Sequence, residues 1–580
     1  MINSITACPL DCYDACGVVY DNGQLKALKD GHTQGFLCPH LNHYSKHESI
    51  KSPRYKGQEI SMDEALEKLV EILKNSNDNE VLHYRGSGNF GLMQEVTDHF
   101  FASNGSTLTD GTLCDGAGEA GIIQGRGSNK NMPLTEIAKS DVVIIWGRNP
   151  HTTSSHLLPL LKDKTIVVID PVKTKIAKMS DLHIQIKPHC DLFLAMMLTR
   201  FFHIHHDCDE EYLNARASEF EEFYELTQTI RIKAVLDDIG VTLGDLGKVL
   251  EFVQNKKVAI VCGVGIQKYS DGADVMRAID AFAVTIGLFG KEGCGVSYLG
   301  DSKEGIISPF NTKASRISKV NTEFSKFKTV FVQGANPLSQ MPDSLRVKES
   351  ISKVQNLVYF GLYENETSEI ADLIIPAKSF LYKNDVRTSY SHNAMMSMTS
   401  VDSTETGISE YDLSAHLCKK FDIKLEEEEF YLKHFKSFSV KKINGCTVVE
   451  NRQSIPYKDE FDTDDGEFVF LEEYEAHKIN NEELHLITPK STKSLNSQFN
   501  REEKVYLHSA LGYKKDSEIT ISSSNGEVSL IVEHNDDLRQ DCVLIYSGTK
   551  GVNNLTSSKH SLDAKSAIFQ ENRVKIISKG

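Results

Sequence analysis

Four cysteines could carry chemistry at the start of the chain. Cys8, Cys12, Cys16 and Cys38 lie in ITACPLDCYDACG…GFLCPH, three of them at four-residue steps. The fourth follows a turn-rich excursion containing Asn22, Gly23, Gly31 and Gly35. Thiolates this close repel one another unless a metal, a cluster or disulfides take up the charge. Four soft ligands suit a [4Fe–4S] cube or a zinc ion. Zinc usually takes two close pairs, whereas three close cysteines and one distant one is the commoner cluster layout. The plain structural alternative is a disulfide staple.

A second pair of motifs sits further along. IIWGRNP (144–150) and FVQGANP (331–337) both read as a strand, a Gly, one residue and Asn-Pro. Gly lets the backbone approach a ligand closely. An Asn side chain and loop amides can hold phosphate or polar ring atoms. The echo points to two related units offering similar sites. Taken singly, either copy is equally an ordinary exit from a strand.

These motifs need elements to position them. Ser61 and Glu64 fit a capping box, and Leu66, Leu69, Val70 and Leu73 then fall on one helical face. A short strand, Val81 to Tyr84, follows. Short apolar runs ending in Gly/Asn/Pro loops recur at 141–150, 165–171, 258–266, 329–337 and 357–363, with helical segments such as Asp191 to Phe202 and Gly272 to Ile286 between them. Alternating buried strands and helices predict a doubly wound parallel α/β sheet, with ligands beyond the carboxyl ends of its strands. Residues 424–475 are rich in acids (EEEEF, DEFDTDDGEF) and read as solvated loops or a linker. Beyond them EITISSS, EVSLIVEH and DCVLIYS, split by Asn525-Gly526 and Asn535-Asp536, read as hairpins closing a small barrel.

Composition bounds the function. With 580 residues, 40% of them hydrophobic, the chain is too long for one core. A net charge of −17 argues against non-specific binding to nucleic acid or an anionic membrane. Eight of the twelve cysteines are scattered singly, unlike an extracellular disulfide framework. There is no signal-peptide pattern, no twin arginine and no run of about 18 apolar residues. A reducing cytoplasm is the expected compartment.

With these residues in view, the chain resembles the molybdopterin oxidoreductase superfamily of the dimethyl-sulfoxide-reductase type. The resemblance rests on the four cysteines, WGRNP, VVIDP, Gly334-Ala335-Asn336-Pro337, ADLIIPA (371–377), TPKSTKSLNSQF (488–499) and SGTKGVNNLT (547–556), in that order. It implies a four-domain α/β fold: an iron–sulfur domain (1–57), one α/β domain from 58–110 plus 321–423, its pseudo-symmetric partner from 111–320, an acidic linker region (424–484) and a C-terminal β-barrel (485–580). It also implies bis-molybdopterin guanine dinucleotide carrying Mo or W, and a [4Fe–4S] cluster on Cys8, Cys12, Cys16 and Cys38.

In GTLCDGAGEAG (111–121) the resemblance makes Cys114 the metal ligand, with Asp115 as rival ligand, proton acceptor or simple helix N-cap. One dinucleotide would meet Asn149, Pro150, Asp170 and Asp191; the other Gly334, Asn336, Pro337 and Asp372. Lys490, Ser494, Asn496, Asn553 and Asn554 lie in stretches that reach the pterins, and His392 lies near them. Two departures matter. His40 replaces the usual Lys between cluster and pterin, and His189-Cys190 replaces Gly-Thr ahead of Asp191. Asp115 also stands where formate dehydrogenases carry a His, which disfavours formate.

The implied activity is two-electron oxygen-atom or hydride transfer on a small substrate, with electrons relayed to an iron–sulfur or flavoprotein subunit. A hydratase or hydroxyl transferase on the same cofactor, a cofactor-free structural subunit and a zinc-binding regulator are the alternatives.

Overall fold

The computed structural model describes residues 4–28, 33–42, 44, 47–88, 91–401, 407–443, 446–450, 452–474 and 483–577. Two parallel sheets dominate it. The first runs Leu182–Ile184, Thr165–Ile169, Val142–Trp146, Val258–Cys262, Gly295–Ser297, every neighbour parallel. All residues of Val142–Trp146 and Val258–Cys262 are buried, so both faces of this sheet are covered. That is why these strands read as unbroken apolar runs rather than alternating ones.

The second sheet runs Arg316–Ser318, Thr107–Asp110, Val81–Arg85, Thr329–Gln333, Asn356–Gly361, Leu373–Pro376 in parallel. The Arg54–Tyr55 and Gln58–Glu59 strands add an antiparallel edge. Arg54–Tyr55 and Arg316–Ser318 thus join a sheet that the domain division from sequence left them outside. The capping box forms as expected: Ser61 Oγ accepts from Glu64 N, and Leu66, Leu69, Val70 and Leu73 of the Met62–Lys74 helix are buried.

Two helices set the position of the Cys114 loop. Gly116–Arg126 packs on Gly272–Thr285 so closely that a Cβ on Gly121 would lie 2.1 Å from the Ala273 carbonyl oxygen. Only a residue without a side chain permits this approach.

The acidic stretch is not a solvated linker. Glu428–Lys436 is a helix that buries Tyr431 and Phe435. The Cys446–Val449 strand pairs with Ala394–Met398. Tyr457, Phe461, Phe468, Phe470 and Leu471 enter the core around the first sheet, while Asp462 pairs with Lys130 at 2.6 Å. Aromatic residues interleaved with carboxylates anchor the segment, and its charge density hid them.

The C-terminal barrel is closed and six-stranded, in the order Leu484–Ile487, Cys542–Leu544, Lys504–Leu507, Glu527–His534, Glu518–Ser522, Arg573–Ile577. Asn525-Gly526 makes the expected hairpin. Asn535-Asp536 does not, because Lys504–Leu507 lies between the two strands it was expected to join. Instead the chain leaves the barrel and reaches the first α/β unit, where Lys173 N donates to Asp537 O at 2.8 Å. No helix among the described residues is long and apolar enough to cross a membrane.

Candidate active site

The echoed motifs are equivalent in backbone geometry. Gly147 and Gly334 both take left-handed φ, 62° and 54°. Gly147 N donates to Ile169 O at 2.8 Å, and Gly334 N to Phe360 O at 2.9 Å. On the other flank Gly263 N donates to Trp146 O at 2.7 Å, and Gly86 N to Gln333 O at 2.9 Å. A Cβ on Gly263 would lie 1.8 Å from Gly147 O, and one on Gly86 2.4 Å from Gly334 O. Gly263 lies in the 258–266 run already read as a strand with a ligand-facing loop, whereas Gly86, directly after the Val81–Arg85 strand, was given no role from sequence. All four glycines line one cavity of about 1130 Å³ at the carboxyl ends of both sheets.

On the first unit, Asn149, Asp170 and Asp191 face this cavity. Asn149 Oδ1 is buried without a hydrogen-bond partner. Burial pushes the Asp170 carboxyl up to about 7, with the Asp191 charge adding to it, although Val172 N donates to it. Burial likewise raises Asp191 to about 7 while Trp146 Nε1 donates to it at 2.7 Å. The His189 departure is accommodated. His189 takes the left-handed turn (φ 66°), stacks on Tyr269 at 4.0 Å and contacts Asp271 at 2.8 Å, and Asp191 then opens the Asp191–Ile204 helix. Pro150 is buried outside the cavity wall.

On the second unit, Gly334 and Asn336 line the cavity. Asn336 is held on three sides, by Glu366, Ser497 and Thr367. Pro337 starts a short helix. Asp372 does not reach the site. It accepts from Leu357 N at the amino end of its strand pair, away from the ligand-facing ends.

From the barrel, Lys490, Asn496 and Asn553 line the cavity, and Asn496 Nδ2 contacts Asp11 Oδ2 at 3.3 Å. Ser494 and Asn554 do not line it. Ser494 bonds Ser491, while Asn554 accepts from Ser344 and donates to Glu527 O.

Cys114 and Asp115 sit at the centre of this wall. Thr112 Oγ1 accepts from the backbone N–H groups of Cys114, Asp115 and Gly116 at 3.0–3.2 Å. Gln267 donates to Cys114 O at 2.7 Å and accepts from Gly118 N at 2.8 Å. Asp115 occupies the N-cap position but makes no side-chain cap bond, so its carboxyl is not spent on the helix. Burial, then the Asp115 charge, pushes the Cys114 thiol up to about 12, with Lys268 and Lys490 pulling the other way. Burial also raises the Asp115 pKa. Asp11, Lys268, Lys319 and Tyr390 line the cavity as well and were missed. Only Asp11, beside Cys12, carried a sequence signal.

No disulfide joins the four N-terminal cysteines. Burial chiefly raises Cys8 to about 11 and Cys12 and Cys38 to about 12, and the charge of a neighbouring cysteine raises each further. Cys16 is raised in the same way, by burial first and then by Asp14 and the other three. Residues Pro9 to Tyr13, Cys12 included, face the cavity. His40 does not: it lies against Ser491 O at 3.1 Å, and burial lowers its pKa. His392 is structural, bonded to Asp14 O at 2.7 Å.

Two open parallel α/β sheets that turn matched glycine exits onto one cavity, under a closed barrel, define a two-unit cofactor-binding enzyme fold. The chain belongs to the molybdopterin oxidoreductase family, whose model matches residues 54–420. It is 27% identical over 421 residues to "Probable oxidoreductase YyaE" of Bacillus subtilis strain 168, covering 66% of this chain and 63% of that protein. It is 23% identical over 449 residues to formate dehydrogenase H of Escherichia coli K12, covering 65% and 62%. The match thus spans less than two thirds of these relatives' own lengths. In fold it superposes on acetylene hydratase from Pelobacter acetylenicus with a TM-score of 0.81 at 14% identity, covering 99% of this chain and 100% of that one.

Proposed function

We propose that the protein is a molybdenum- or tungsten-dependent oxidoreductase, acting in a reducing cytoplasm. It carries out two-electron oxygen-atom or hydride transfer on a small substrate and relays electrons through a [4Fe–4S] cluster to an iron–sulfur or flavoprotein partner. One observation carries the reading: Cys114, both Gly-x-Asn-Pro exits and the Pro9–Tyr13 face of the cysteine segment open onto the same cavity.

The wall fits two pterin guanine dinucleotides. The unpartnered Asn149 Oδ1 and the desolvated Asp170 and Asp191 carboxyls match the N–H edge of a guanine. The bare glycine backbones admit a close ligand, and the half-buried Lys268, Lys319 and Lys490 on the cavity wall match phosphate. In this reading Asn149, Asp170 and Asp191 hold one dinucleotide. Gly334, Asn336 and Asn553 hold the other, and Lys490 and Asn496 meet the pterin side. When bound, the metal supplies the two-electron chemistry. Cys114 caps it as a thiolate, the form that Lys268 and Lys490 favour. Asp115 holds or takes a proton beside it.

Lys490, coupled electrostatically to both Cys12 and Cys114, supplies the cation that His40 does not.

A hydratase is the second reading. Asp11 and Asp115 place two carboxyls beside Cys114, which suits addition of water, and the fold neighbour is named a hydratase. Formate is disfavoured by Asp at position 115. The test is anaerobic purification with metal supplied, metal quantification and a viologen-linked substrate screen. About four irons and one Mo or W per chain, with dye turnover, is the expected result. Turnover without dye reduction selects the hydratase. Iron without Mo or W selects a structural subunit, and zinc at the cysteines a zinc-binding regulator.

A further inference from the structure

His156 lies 140 residues from Cys16 in sequence and touches it in space. Its ring is buried, in a short helix at Ser155–Leu161, and stacks on Phe36 with centroids 4.4 Å apart. Nε2 sits 3.1 Å from Phe36 O. Nδ1 sits 2.8 Å from Asp14 Oδ2 and 3.4 Å from Cys16 Sγ. The His156 backbone N also donates to Asp14 Oδ2, and Gln34 Nε2 donates to His156 O. The ring direction is thus fixed by Asp14 on one side and Phe36 on the other, and a proton on Nδ1 would face both Asp14 Oδ2 and Cys16 Sγ.

We propose that His156 is a positioning residue for the cysteine-bound centre: its Nδ1–H, shared between Asp14 Oδ2 and Cys16 Sγ, donates to the Cys16 sulfur and sets the reduction potential of the cluster held there. This rests on the iron–sulfur reading of the four cysteines. Hydrogen bonds to ligating sulfur are among the terms that fix cluster potentials. The one-electron-reduced cluster is the more negative form, so an N–H on its sulfur stabilises it and raises the potential.

Asp14, Cys16 and His156 also form a triad whose ligand atoms lie within 4.8 Å of one another. That closeness would allow a single ion instead. The two arrangements differ at one atom: the proposed one keeps a proton on Nδ1 toward Asp14 and Cys16, whereas a ligating Nδ1 would turn its lone pair to the metal.

The test uses the full chain, purified anaerobically with its metals. In the wild-type protein, labelled with ¹⁵N only in the histidine rings and reduced, pulsed EPR detects a nitrogen coupling to the cluster. His156→Phe keeps the stack on Phe36 and removes the donor. It retains iron, loses the coupling, and its midpoint potential shifts negative in an EPR-monitored titration. His156→Gln, which can donate from a similar place, recovers part of the shift. Absence of the coupling in iron-replete wild type overturns the proposal, as does an unchanged potential in iron-replete His156→Phe. If His156→Phe fails to hold iron, the wild-type coupling decides. One zinc and no iron in wild type overturns it, whether the ion sits on the four cysteines or on the triad. Wild type without iron or zinc overturns the cluster reading beneath it.

Discussion

Arg126 and Asp280 form an ion pair with side chains only 2% and 0% exposed. Arg126 Nε donates to Asp280 Oδ2 at 2.7 Å, and the guanidinium lies over the Phe289 ring at 4.6 Å. The pair fastens the Gly116–Arg126 helix to Gly272–Thr285, one helix length from Cys114. Asp280→Ala leaves a buried guanidinium without its counter-charge. We expect a loss of about 3–5 kcal/mol in denaturant unfolding. Replacing both partners by apolar residues of similar volume should cost far less. Equal losses in the two variants would show that packing, not charge, holds the helices.

The paired glycines make a graded prediction. Gly334 takes left-handed φ with open space around an added Cβ, so Gly334→Ala should cost about 1–2 kcal/mol from backbone strain alone. Gly263→Ala drives a Cβ into the Gly147 carbonyl and should destabilise far more. Thermal melts of the two variants check the order.

Asp170 and Asp191 make the ligand-free protein sensitive to pH. Burial raises both from 3.8 to about 7. A carboxyl raised in this way binds its proton more tightly folded than unfolded. Its contribution to stability is complete below the unfolded value near 3.8 and is lost as pH rises through about 7. Melting temperature should therefore fall as pH climbs across that range. Asp385, also raised to about 7 by burial, adds to the slope. Asp170→Asn with Asp191→Asn should flatten it in part. A ligand donating N–H groups to both carboxyls should flatten it in the same way.

Cys114→Ala tests the metal ligand. If the dinucleotides carry the metal, metal content survives while turnover falls to background. Loss of metal in step with activity would instead make Cys114 the main anchor.

Much of this arrangement was legible in the chain. The strand runs, the Ser61–Glu64 cap and the Asn-Pro echo are local signals, and local signals survive into the fold. The cysteine segment was legible through chemistry, and Cys114 only through the family resemblance. What stayed hidden depends on long-range packing. Lys268 and Lys319 face the cavity only because their loops converge there. Asp372 looked suitable by motif but lies at the wrong end of its strand. The barrel's crossed strand order cannot be read from Asn535-Asp536, since a turn residue does not say which strand comes back beside it. Phe461 and Phe468 were masked by the acids around them.

The barrel contact at Asp537 has a consequence for assembly. The floor of the cavity comes from residues 9–410, and Lys490, Asn496 and Asn553 form part of its roof. The roof is therefore made after the floor. Asp537 clasps Lys173 and Lys178 and ties that roof to the first α/β unit. A guest held between floor and roof would strengthen the same tie, so the occupied protein should resist heat better than the empty one.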